Sequence, residues 1–314
     1  MSLEPTKHIW FNGKLVPWED ANIHVLTYAL HYGTAVFEGI RAYSTNDGCK
    51  IFRLHEHTKR LLNSAKIYKI KIPYSQQELE DACRTIINSN DLTDGAYIRP
   101  IVFKGYGDLG LHASQDDNIE VAIAAWEWGT YLGEDALNDG VDVCVSSWTR
   151  AAPNTIPVLA KAAGNYLSGI LITEEAHQNG FDEGIVLDVN GMVSEGAGEN
   201  IFMVKDNTVY TPPIGSSILD GITRDSVMKL AESMGIEVKE IQIPREQLYI
   251  ADELFFTGTA VEVTPVRSVD RITIGDGHKG PVTAQIQKAF FGLFDGSTKD
   301  SWDWLEPIQK VIHG

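Results

Sequence analysis

Hydrophobic and polar positions alternate near the N-terminus and then recur at helical spacing. Alternation on either side of Asn12-Gly13 predicts a β-hairpin, because this dipeptide favours a tight two-residue turn. A capping box at Ser75 and Glu78 precedes apolar residues three and four apart, which predicts a helix over residues 76–89. Residues 55–68 carry a similar apolar face and predict a second helix. The chain is therefore expected to begin with a sheet and two amphipathic helices.

A break in this pattern predicts two domains. Residues 96–103 and 120–126 are short apolar runs rich in branched and aromatic side chains, which are typical of buried strands. The following residues, 127–136, contain glycine and acidic side chains with little periodicity and predict an interdomain loop. A small N-terminal domain is thus predicted over residues 1–126 and a large C-terminal domain over residues 137–314.

The C-terminal part repeats the mixture of strands and helices. Asn190-Gly191 and Asp206-Asn207 each lie between strand-like runs and predict two further hairpins. Thr223 is expected to cap a helix, and Gly235 to lie at its C′ position. Helices and hairpins in both halves predict an α/β fold of the α+β type, with mixed or antiparallel sheets in two domains.

Charge narrows the possible partners. The 314 residues carry 26 Lys and Arg against 43 Asp and Glu, a formal net charge of −17. This argues against nucleic acid and anionic membranes, since both bind basic surfaces. Residues 101–200 hold 16 of the acids and only three bases, Lys104, Arg150 and Lys161. We expect the acidic surplus to lie on the outer surface and these bases to point inward.

Cysteine usage and the N-terminus indicate a location. Cys49, Cys83 and Cys144 are odd in number and widely spaced, so they suggest neither a metal motif nor a disulfide framework. The first residues lack the apolar core of a signal peptide, and no apolar run approaches the roughly 18 residues of a membrane span. These patterns predict a cytoplasmic protein without a metal site.

Lys161 is the first candidate for chemistry. It is the only Lys or Arg between Arg150 and Lys205, and the surrounding stretch 157–164 has no other polar side chain. Apolar neighbours would remove water from the amine, which favours the neutral, nucleophilic form that a Schiff-base lysine needs. The structural alternative is a lysine at a strand end that extends its charge into solvent.

Glycine-rich segments supply a second group of candidates. Glu195 precedes small residues that would let a flat ligand approach the backbone, and its carboxylate could keep a pyridine nitrogen protonated. A solvated turn is the alternative. Residues 221–225 open a helix whose N–H groups could bind phosphate. Residues 258–260 could form another backbone cradle or a simple loop.

Two arginines could complete such a site. Arg60 lies on the predicted 55–68 helix and could bind phosphate, or it could be an ordinary surface residue. Arg99 lies in an apolar strand, where its charge needs a carboxylate partner from the protein or from a substrate. Because Arg60 and Arg99 lie in one half of the chain and Lys161 and Thr223 in the other, we expect an active site between the domains.

Together these segments resemble the class IV pyridoxal-phosphate aminotransferase family, and more closely its branched-chain amino acid members. The family signature begins at Glu195, continues through Asn200-Ile-Phe202 and Val209-Tyr-Thr211, and closes with Leu219, Gly221-Ile222 and Arg224. Supporting stretches include Phe37-Glu-Gly-Ile-Arg41, Ala96-Tyr-Ile-Arg-Pro100 and Lys161-Ala-Ala-Gly-Asn-Tyr166. The resemblance covers nearly the whole chain. It implies a two-domain enzyme of fold type IV, similar to D-amino acid aminotransferase, with pyridoxal 5′-phosphate as cofactor.

The resemblance also implies roles for individual residues. Lys161 would be the catalytic lysine, Tyr166 would bind the cofactor's 3′ oxygen and Glu195 its pyridine nitrogen. The phosphate would be bound by Arg60, Ile222, Thr223 and Thr259. The substrate would be bound by Tyr32, Phe37, Tyr97, Arg99, Leu111, Trp128, Tyr131, Thr259 and Ala260, with Leu111 reaching in from a neighbouring subunit. Arg99 is expected to pair with the distal carboxylate of glutamate.

The implied activity is transfer of the amino group of leucine, isoleucine or valine to 2-oxoglutarate by a ping-pong mechanism. A D-amino acid aminotransferase or an aminodeoxychorismate lyase would keep Lys161 and Glu195 and stays an alternative. A non-catalytic binding protein with a structural Lys161 is the alternative from another class. The resemblance further implies a homodimer or a hexamer.

Overall fold

The computed structural model describes residues 4–111, 118–129, 132 and 135–308. Contacts between residues divide the chain into two compact units. Unit 1 comprises Met1–Gly129, Ala160–Gly164 and Phe294–Gly314, and unit 2 comprises Thr130–Leu159 and Asn165–Leu293.

Unit 1 is an antiparallel sheet accompanied by two long helices. Its strands are β1 (His8–Phe11), β2 (Lys14–Pro17), β3 (Ala35–Phe37), β4 (Ile40–Thr45), β5 (Gly48–Phe52), β6 (Gly95–Lys104), β7 (Ile119–Trp126) and, last in the chain, β17 (Leu305–Pro307). They follow the order β17-β5-β4-β6-β7-β1-β2, and β3 pairs with β6. The helices are α1 (Tyr28–Tyr32), α2 (Leu54–Ile67) and α3 (Gln76–Ser89).

The apolar faces of α2 and α3 contribute to the core of unit 1. Leu61 from α2 and Ile86 from α3 are fully buried in one cluster with Ile51 and Ile98 of the sheet. The hairpin, both helices and both buried strands predicted in this part of the chain are confirmed. In the predicted capping box, Ser75 Oγ accepts the N–H of Glu78, whose carboxylate accepts the N–H of Ser75.

Unit 2 is built on a mixed sheet. Its strands are β8 (Val141–Thr149), β9 (Glu183–Leu187), β10 (Val193–Gly196), β11 (Asn200–Lys205), β12 (Thr208–Thr211), β13 (Val238–Glu240), β14 (Glu253–Gly258), β15 (Glu262–Val269) and β16 (Ile272–Thr273). The order is β10-β9-β8-β15-β14-β11-β12-β13, with β16 on β15. Strand β8 is parallel to β9 and β15, and β12 is parallel to β13, whereas the other pairs are antiparallel. The predicted mixed sheet is thus confirmed.

The helices of unit 2 are α4 (Ala136–Asp139), α5 (Tyr166–Gln178), α6 (Ile222–Ser233), α7 (Arg245–Tyr249) and α8 (Pro281–Asp295), the last two residues of α8 being part of unit 1. The hairpins at Asn190-Gly191 and Asp206-Asn207 are confirmed as β9–β10 and β11–β12. In the core, Phe202 of β11 stacks on Phe255 of β14, with ring centroids 5.0 Å apart.

The predicted domain boundaries assign two segments to the wrong unit. Those boundaries place residues 160–164 and 294–314 in the C-terminal domain, whereas their contacts lie in unit 1. Ala162 forms an antiparallel bridge with Val36, and β17 pairs with β5. Pairing between residues so far apart in the chain is not encoded in local periodicity.

The start of α6 also differs from the prediction, because Thr223 is not the N-cap. The N-cap is Gly221 in an extended conformation, and the helix begins at Ile222. A Cβ atom at position 221 would lie 1.9 Å from Asn200 Oδ1, so only glycine fits there. The predicted C-terminal end is confirmed, since Gly235 follows the helix with a φ of 76°.

The described part of the chain contains no helix that is both long and apolar enough to cross a membrane. Within that same part, no group of three or more His, Cys, Asp and Glu side chains could hold a metal ion.

Removing the capping hydroxyl should loosen α3. We expect Ser75→Ala to lower the free energy of unfolding by about 1 kcal/mol, because an N-terminal N–H of the helix loses its acceptor. Thr85→Ala is the control, since Thr85 is exposed within the same helix and its hydroxyl donates to the carbonyl of Asp81 rather than to a helix end. Urea unfolding followed by circular dichroism measures both. Equal effects of the two substitutions would contradict the role of the cap.

Candidate active site

Lys161 lies in unit 1, directly before the residue that bridges to β3. Its backbone N–H donates to Ser64 Oγ at 2.9 Å, and its carbonyl accepts the N–H of Phe37 at 3.0 Å. These two bonds and the adjacent Ala162–Val36 bridge fix the backbone on which the side chain stands. The Nζ atom lies 5.1 Å from the centroid of the Phe37 ring, and the residue is half-buried. The amine therefore has an aromatic ring where water would otherwise lie.

Four predicted substrate residues of unit 1 lie together beside this lysine. The guanidinium of Arg99 lies 4.8 Å from the ring centroid of Phe37 and 5.2 Å from that of Tyr97. Arg99 Nη2 donates to the Tyr97 hydroxyl at 3.0 Å. Trp128 stacks on Tyr97 with ring centroids 4.6 Å apart. An aromatic surface with a cation at its edge results.

Arg99 has few polar partners in the part of the protein that the structure describes. No carboxylate among these residues forms an ion pair with it, and its buried Nε has no hydrogen-bond partner there. The arrangement fits the expectation that Arg99 serves a carboxylate from outside the chain.

The remaining predicted substrate residues of this part of the chain are more exposed. Tyr32 is 43% exposed and packs on Tyr28, with ring centroids 4.4 Å apart. Leu111 is 83% exposed, a degree unusual for leucine. Tyr131 lies outside the described residues.

Arg60 is not an ordinary surface arginine, because it forms a two-point ion pair with a buried carboxylate. Its Nε donates to Glu38 Oε1 at 2.7 Å and its Nη2 to Glu38 Oε2 at 2.8 Å. Glu38 is fully buried, and its Oε2 also lies 2.8 Å from His57 Nδ1. This pairing orients the guanidinium on α2 and leaves its second terminal nitrogen outside the fork.

The pKa values in this triad follow from burial and charge. Burial alone would raise the pKa of Glu38, but the charge and hydrogen bonds of Arg60, and then of His57, hold it well below its usual range. Burial lowers the pKa of His57 despite the attraction of Glu38. A neutral His57 must donate from Nδ1, because the Glu38 carboxylate only accepts.

In unit 2, Glu195 on β10 is buried and held at both carboxylate oxygens. Its Oε2 accepts the Asn200 side-chain amide and the Leu219 N–H, each at 3.1 Å. Its Oε1 lies 3.2 Å from Arg150 Nη2. Arg150 in turn donates to the carbonyls of Gly196 and Ala197 at 2.7 and 2.8 Å. The carboxylate is therefore fixed in direction and charge-balanced.

The other predicted cofactor residues of unit 2 lie at element ends. Ile222 and Thr223 form the first turn of α6, where Gly221 supplies no side-chain cap. Tyr166 is the first residue of α5. Thr259 and Ala260 occupy the turn between β14 and β15. A helix start without a side-chain cap and a tight turn both present backbone N–H groups to an anion.

The expected outward placement of the acidic surplus is wrong for four residues of 101–200. Glu183, Asp188, Glu195 and Glu199 are buried. Backbone donors make this possible: Asp188 Oδ1, for example, accepts two N–H groups. Of the three bases, Arg150 is buried as expected, and Lys104 and Lys161 are half-buried.

Sequence reasoning gave no role to Glu38, His57, Arg150 or Glu199. One signal was present for Arg150, since it is one of only three bases in its third of the chain. Glu38 and Glu199 look like ordinary acids in sequence, and only burial distinguishes them.

Comparison with known proteins places the chain in a family. Residues 35–269 match the family described as amino-transferase class IV, so the chain belongs to the class IV aminotransferase family. The predicted resemblance to this family is confirmed.

Several similar proteins are branched-chain amino acid aminotransferases. The branched-chain-amino-acid aminotransferase of Salmonella typhimurium is 56% identical over 310 residues, covering 99% of this chain and 100% of that protein. A crystal structure of the Escherichia coli branched-chain amino acid aminotransferase has a TM-score of 0.96 and 56% identity, covering 97% of this chain and 100% of that one. The Thermobaculum terrenum branched-chain amino acid aminotransferase in its PLP-form has a TM-score of 0.90 and 35% identity, covering 98% and 100%.

The buried Glu38–Arg60 pair should contribute strongly to stability. We expect Glu38→Gln to lower the free energy of unfolding by about 3 kcal/mol at pH 7, because Arg60 keeps its charge without a carboxylate. Since the pKa of Glu38 is depressed in the folded protein, its stabilisation exists above the unfolded carboxyl pKa of about 4.3 and is lost as the pH falls further. The difference between wild type and variant should therefore shrink below about pH 4.

Denaturant unfolding at pH 7 and at pH values below 4 measures this difference. Asp91→Asn is the control in the same unit, because Asp91 pairs with Lys7 and both side chains are exposed, so this change should cost at most about 1 kcal/mol. A Glu38→Gln effect as small as that of the control, or one independent of pH, would contradict the assignment.

Proposed function

We propose that this protein is a branched-chain amino acid aminotransferase that uses pyridoxal 5′-phosphate. It transfers the amino group of L-leucine, L-isoleucine and L-valine to 2-oxoglutarate, giving branched 2-oxo acids and L-glutamate in two half-reactions. The observation that carries the proposal is the 56% identity to a branched-chain-amino-acid aminotransferase along essentially the whole of both chains. That extent of similarity favours this activity over D-amino acid transfer, over the lyase and over a non-catalytic role.

The residues present fit such a cofactor. Its pyridine nitrogen requires a buried acidic partner, and Glu195 is a buried carboxylate with both oxygens directed by neighbours. Its phosphate requires donors, and the start of α6 lacks a side-chain cap. Its aldehyde requires an amine, and Lys161 Nζ lies over the Phe37 ring. When bound, the cofactor serves as the electron sink and amino-group carrier.

Each proposed residue has a definite task. Lys161 Nζ would hold the cofactor covalently and, once released from it, would take the proton from the substrate Cα. Glu195 accepts the N–H of the pyridinium ring, and Tyr166 binds the 3′ oxygen. The phosphate is bound by Arg60, Thr259 and the backbone at Ile222 and Thr223. The substrate carboxylate is bound by Tyr97 and by the backbone N–H groups of Thr259 and Ala260.

The aromatic surface of unit 1 explains how one site could accept two kinds of side chain. Phe37, Tyr97 and Trp128 offer apolar area to a branched side chain. Arg99 at the edge of this surface already donates to the Tyr97 hydroxyl and can pair with the distal carboxylate of glutamate. When leucine binds, the cation remains over the Phe37 and Tyr97 rings, which lowers the cost of leaving it without an anion.

Association of copies, as a homodimer or a hexamer, is part of the proposal. Exposed apolar side chains support it in both units: Leu109 and Leu111 in unit 1, and Leu167 and Ile170 on α5 in unit 2. Leu111 of a neighbouring copy would then join Tyr32 and Tyr131 in lining the substrate site. A cytoplasmic location is supported by Cys49, Cys83 and Cys144, which are all free thiols.

Replacing the proposed catalytic lysine should abolish the reaction. We expect Lys161→Arg to show no transfer from L-leucine to 2-oxoglutarate, because a guanidinium keeps the charge but cannot form the covalent link. Borohydride treatment followed by peptide mass spectrometry should label Lys161 in the wild type and should find no label in Lys161→Arg. Lys104→Arg is the control and should keep both activity and labelling. Full activity of Lys161→Arg would defeat the proposal.

Removing Arg99 should separate the two substrates. We expect Arg99→Ala to lower kcat/KM for L-glutamate by about 10- to 100-fold, because a charge-assisted hydrogen bond is lost, and to change that for L-leucine by less than about threefold. Steady-state assays of both half-reactions measure this. Equal losses for the two substrates would show that Arg99 does not read the distal carboxylate.

A further inference from the structure

Unit 2 buries more acids around Arg150 than one base can balance. Glu183, Glu195 and Glu199 are only 2%, 7% and 6% exposed, and Arg150 is 8% exposed. In the described part of the chain, Arg150 forms its ion pair with Glu195 alone. If all three acids were ionised, two negative charges would lack compensation inside the protein.

Glu199 is the least satisfied of the three. Its Oε2 accepts the Gly198 N–H at 2.9 Å, whereas its buried Oε1 has no hydrogen-bond partner among the described residues. A Cβ atom at Gly196 would lie 2.6 Å from that Oε1, so the carboxyl group packs directly against the Gly196 backbone. The Gly196 carbonyl is in turn an acceptor for Arg150. The peptide of Gly196 thus touches both groups.

Glu183 is better prepared to carry a negative charge. Its Oε1 accepts the Gly184 N–H at 2.7 Å and the Thr173 hydroxyl at 3.1 Å. An ionised carboxylate with an unpaired buried oxygen is strongly unfavourable, and the proton therefore belongs on Glu199. It belongs on Oε1, because Oε2 is the oxygen that accepts a backbone N–H.

We propose that Glu199 is a neutral carboxylic acid in the folded protein and a positioning residue for Glu195. Because Glu199 carries no charge, it does not compete for the guanidinium of Arg150. Arg150 therefore pairs with Glu195 alone and holds that carboxylate ionised and in a fixed orientation. The consequence for the cofactor rests on the proposed function, whereas the protonation of Glu199 does not.

The electrostatics of the cluster agree with this geometry. Burial, followed by the negative charges of Glu183 and Glu195, raises the pKa of Glu199 well above its usual value, and the Gly198 N–H and Arg150 oppose this without cancelling it. Burial also raises the pKa of Glu183, against the Gly184 N–H, the Thr173 hydroxyl, His177 and Arg150. These are the charged and titratable groups that act on the pair from the neighbouring elements.

The direction in which stability changes with pH tests whether Glu199 is protonated. Above about pH 4.3, the folded protein would hold a proton that the unfolded chain releases. Glu199 should therefore lower the wild type's free energy of unfolding as the pH rises above this value. Glu199→Gln has the shape of the neutral acid but does not titrate. In the full-length protein, its melting temperature minus that of the wild type should be near zero at pH 4 and positive at pH 8.

The opposite sign would overturn the inference, because an ionised Glu199 that relied on Arg150 would make the variant less stable as the pH rises. Glu174→Gln, an exposed change on α5, is the control and should give a difference independent of pH. Infrared spectra of the wild type give a second test that needs no folded variant. They should show the carbonyl band of a buried carboxylic acid at pH 7, and its absence would also overturn the inference.

Rescue tests the positioning role. Glu199→Ala should weaken the binding of pyridoxal 5′-phosphate about tenfold or more and shift the pH titration of the bound cofactor's visible absorbance, and Glu199→Gln should restore both. Equal impairment of the two variants would refute positioning by a neutral acid. If the wild type bound no pyridoxal phosphate, the proposed function would fail, while the pH dependence of stability would still decide the state of Glu199.

Discussion

A charged side chain that is buried away from water must be paired or must give up its charge, and both units of this protein are organised by that requirement. In unit 1, the fully buried Glu38 is satisfied by Arg60 and His57. In unit 2, the charge of Arg150 is paired with Glu195, and its Nη2 also donates to two backbone carbonyls. Each cluster contains a residue proposed to bind the cofactor. The bonds that compensate burial therefore also determine the direction in which Arg60 and Glu195 point.

Backbone pairing gives the same precision to Lys161. The lysine is not on a free loop. Its carbonyl accepts a hydrogen bond from the N–H of Phe37 on β3, and its N–H donates one to Ser64 Oγ on α2. These bonds fix the point on the backbone from which the side chain extends. Such support from regular elements is what a covalent catalyst requires, because small errors in position lower the rate strongly.

The fold by itself does not decide the substrate. Class IV aminotransferase membership accounts for Lys161 and Glu195, which related enzymes of other specificity would share. In the proposed function, specificity depends instead on the surface formed by Phe37, Tyr97, Trp128 and Arg99, where apolar rings and one cation lie close to each other. The chemistry of this surface suits a ligand that is apolar in one half-reaction and anionic in the other.

Local interactions allowed the sequence to determine much of the fold. The hairpin at Asn12-Gly13, the capping box of α3 and the glycine after α6 depend on residues a few positions apart, and each was predicted correctly. The candidate lysine and the family signature were equally visible, because a motif is a local pattern.

Only the tertiary structure decided which distant residues form hydrogen bonds and ion pairs with one another. It placed the segment of Lys161 in unit 1 through a bridge to Val36, and it joined Glu38 to Arg60 and Glu195 to Arg150. It also brought Asn200 against the N-cap Gly221, where a side chain would clash. The sequence records the identity of an acid but not its burial. Burial, which depends on the whole fold, separates a solvated carboxylate from Glu38, which needs a cation, and from Glu199, which is proposed to keep its proton.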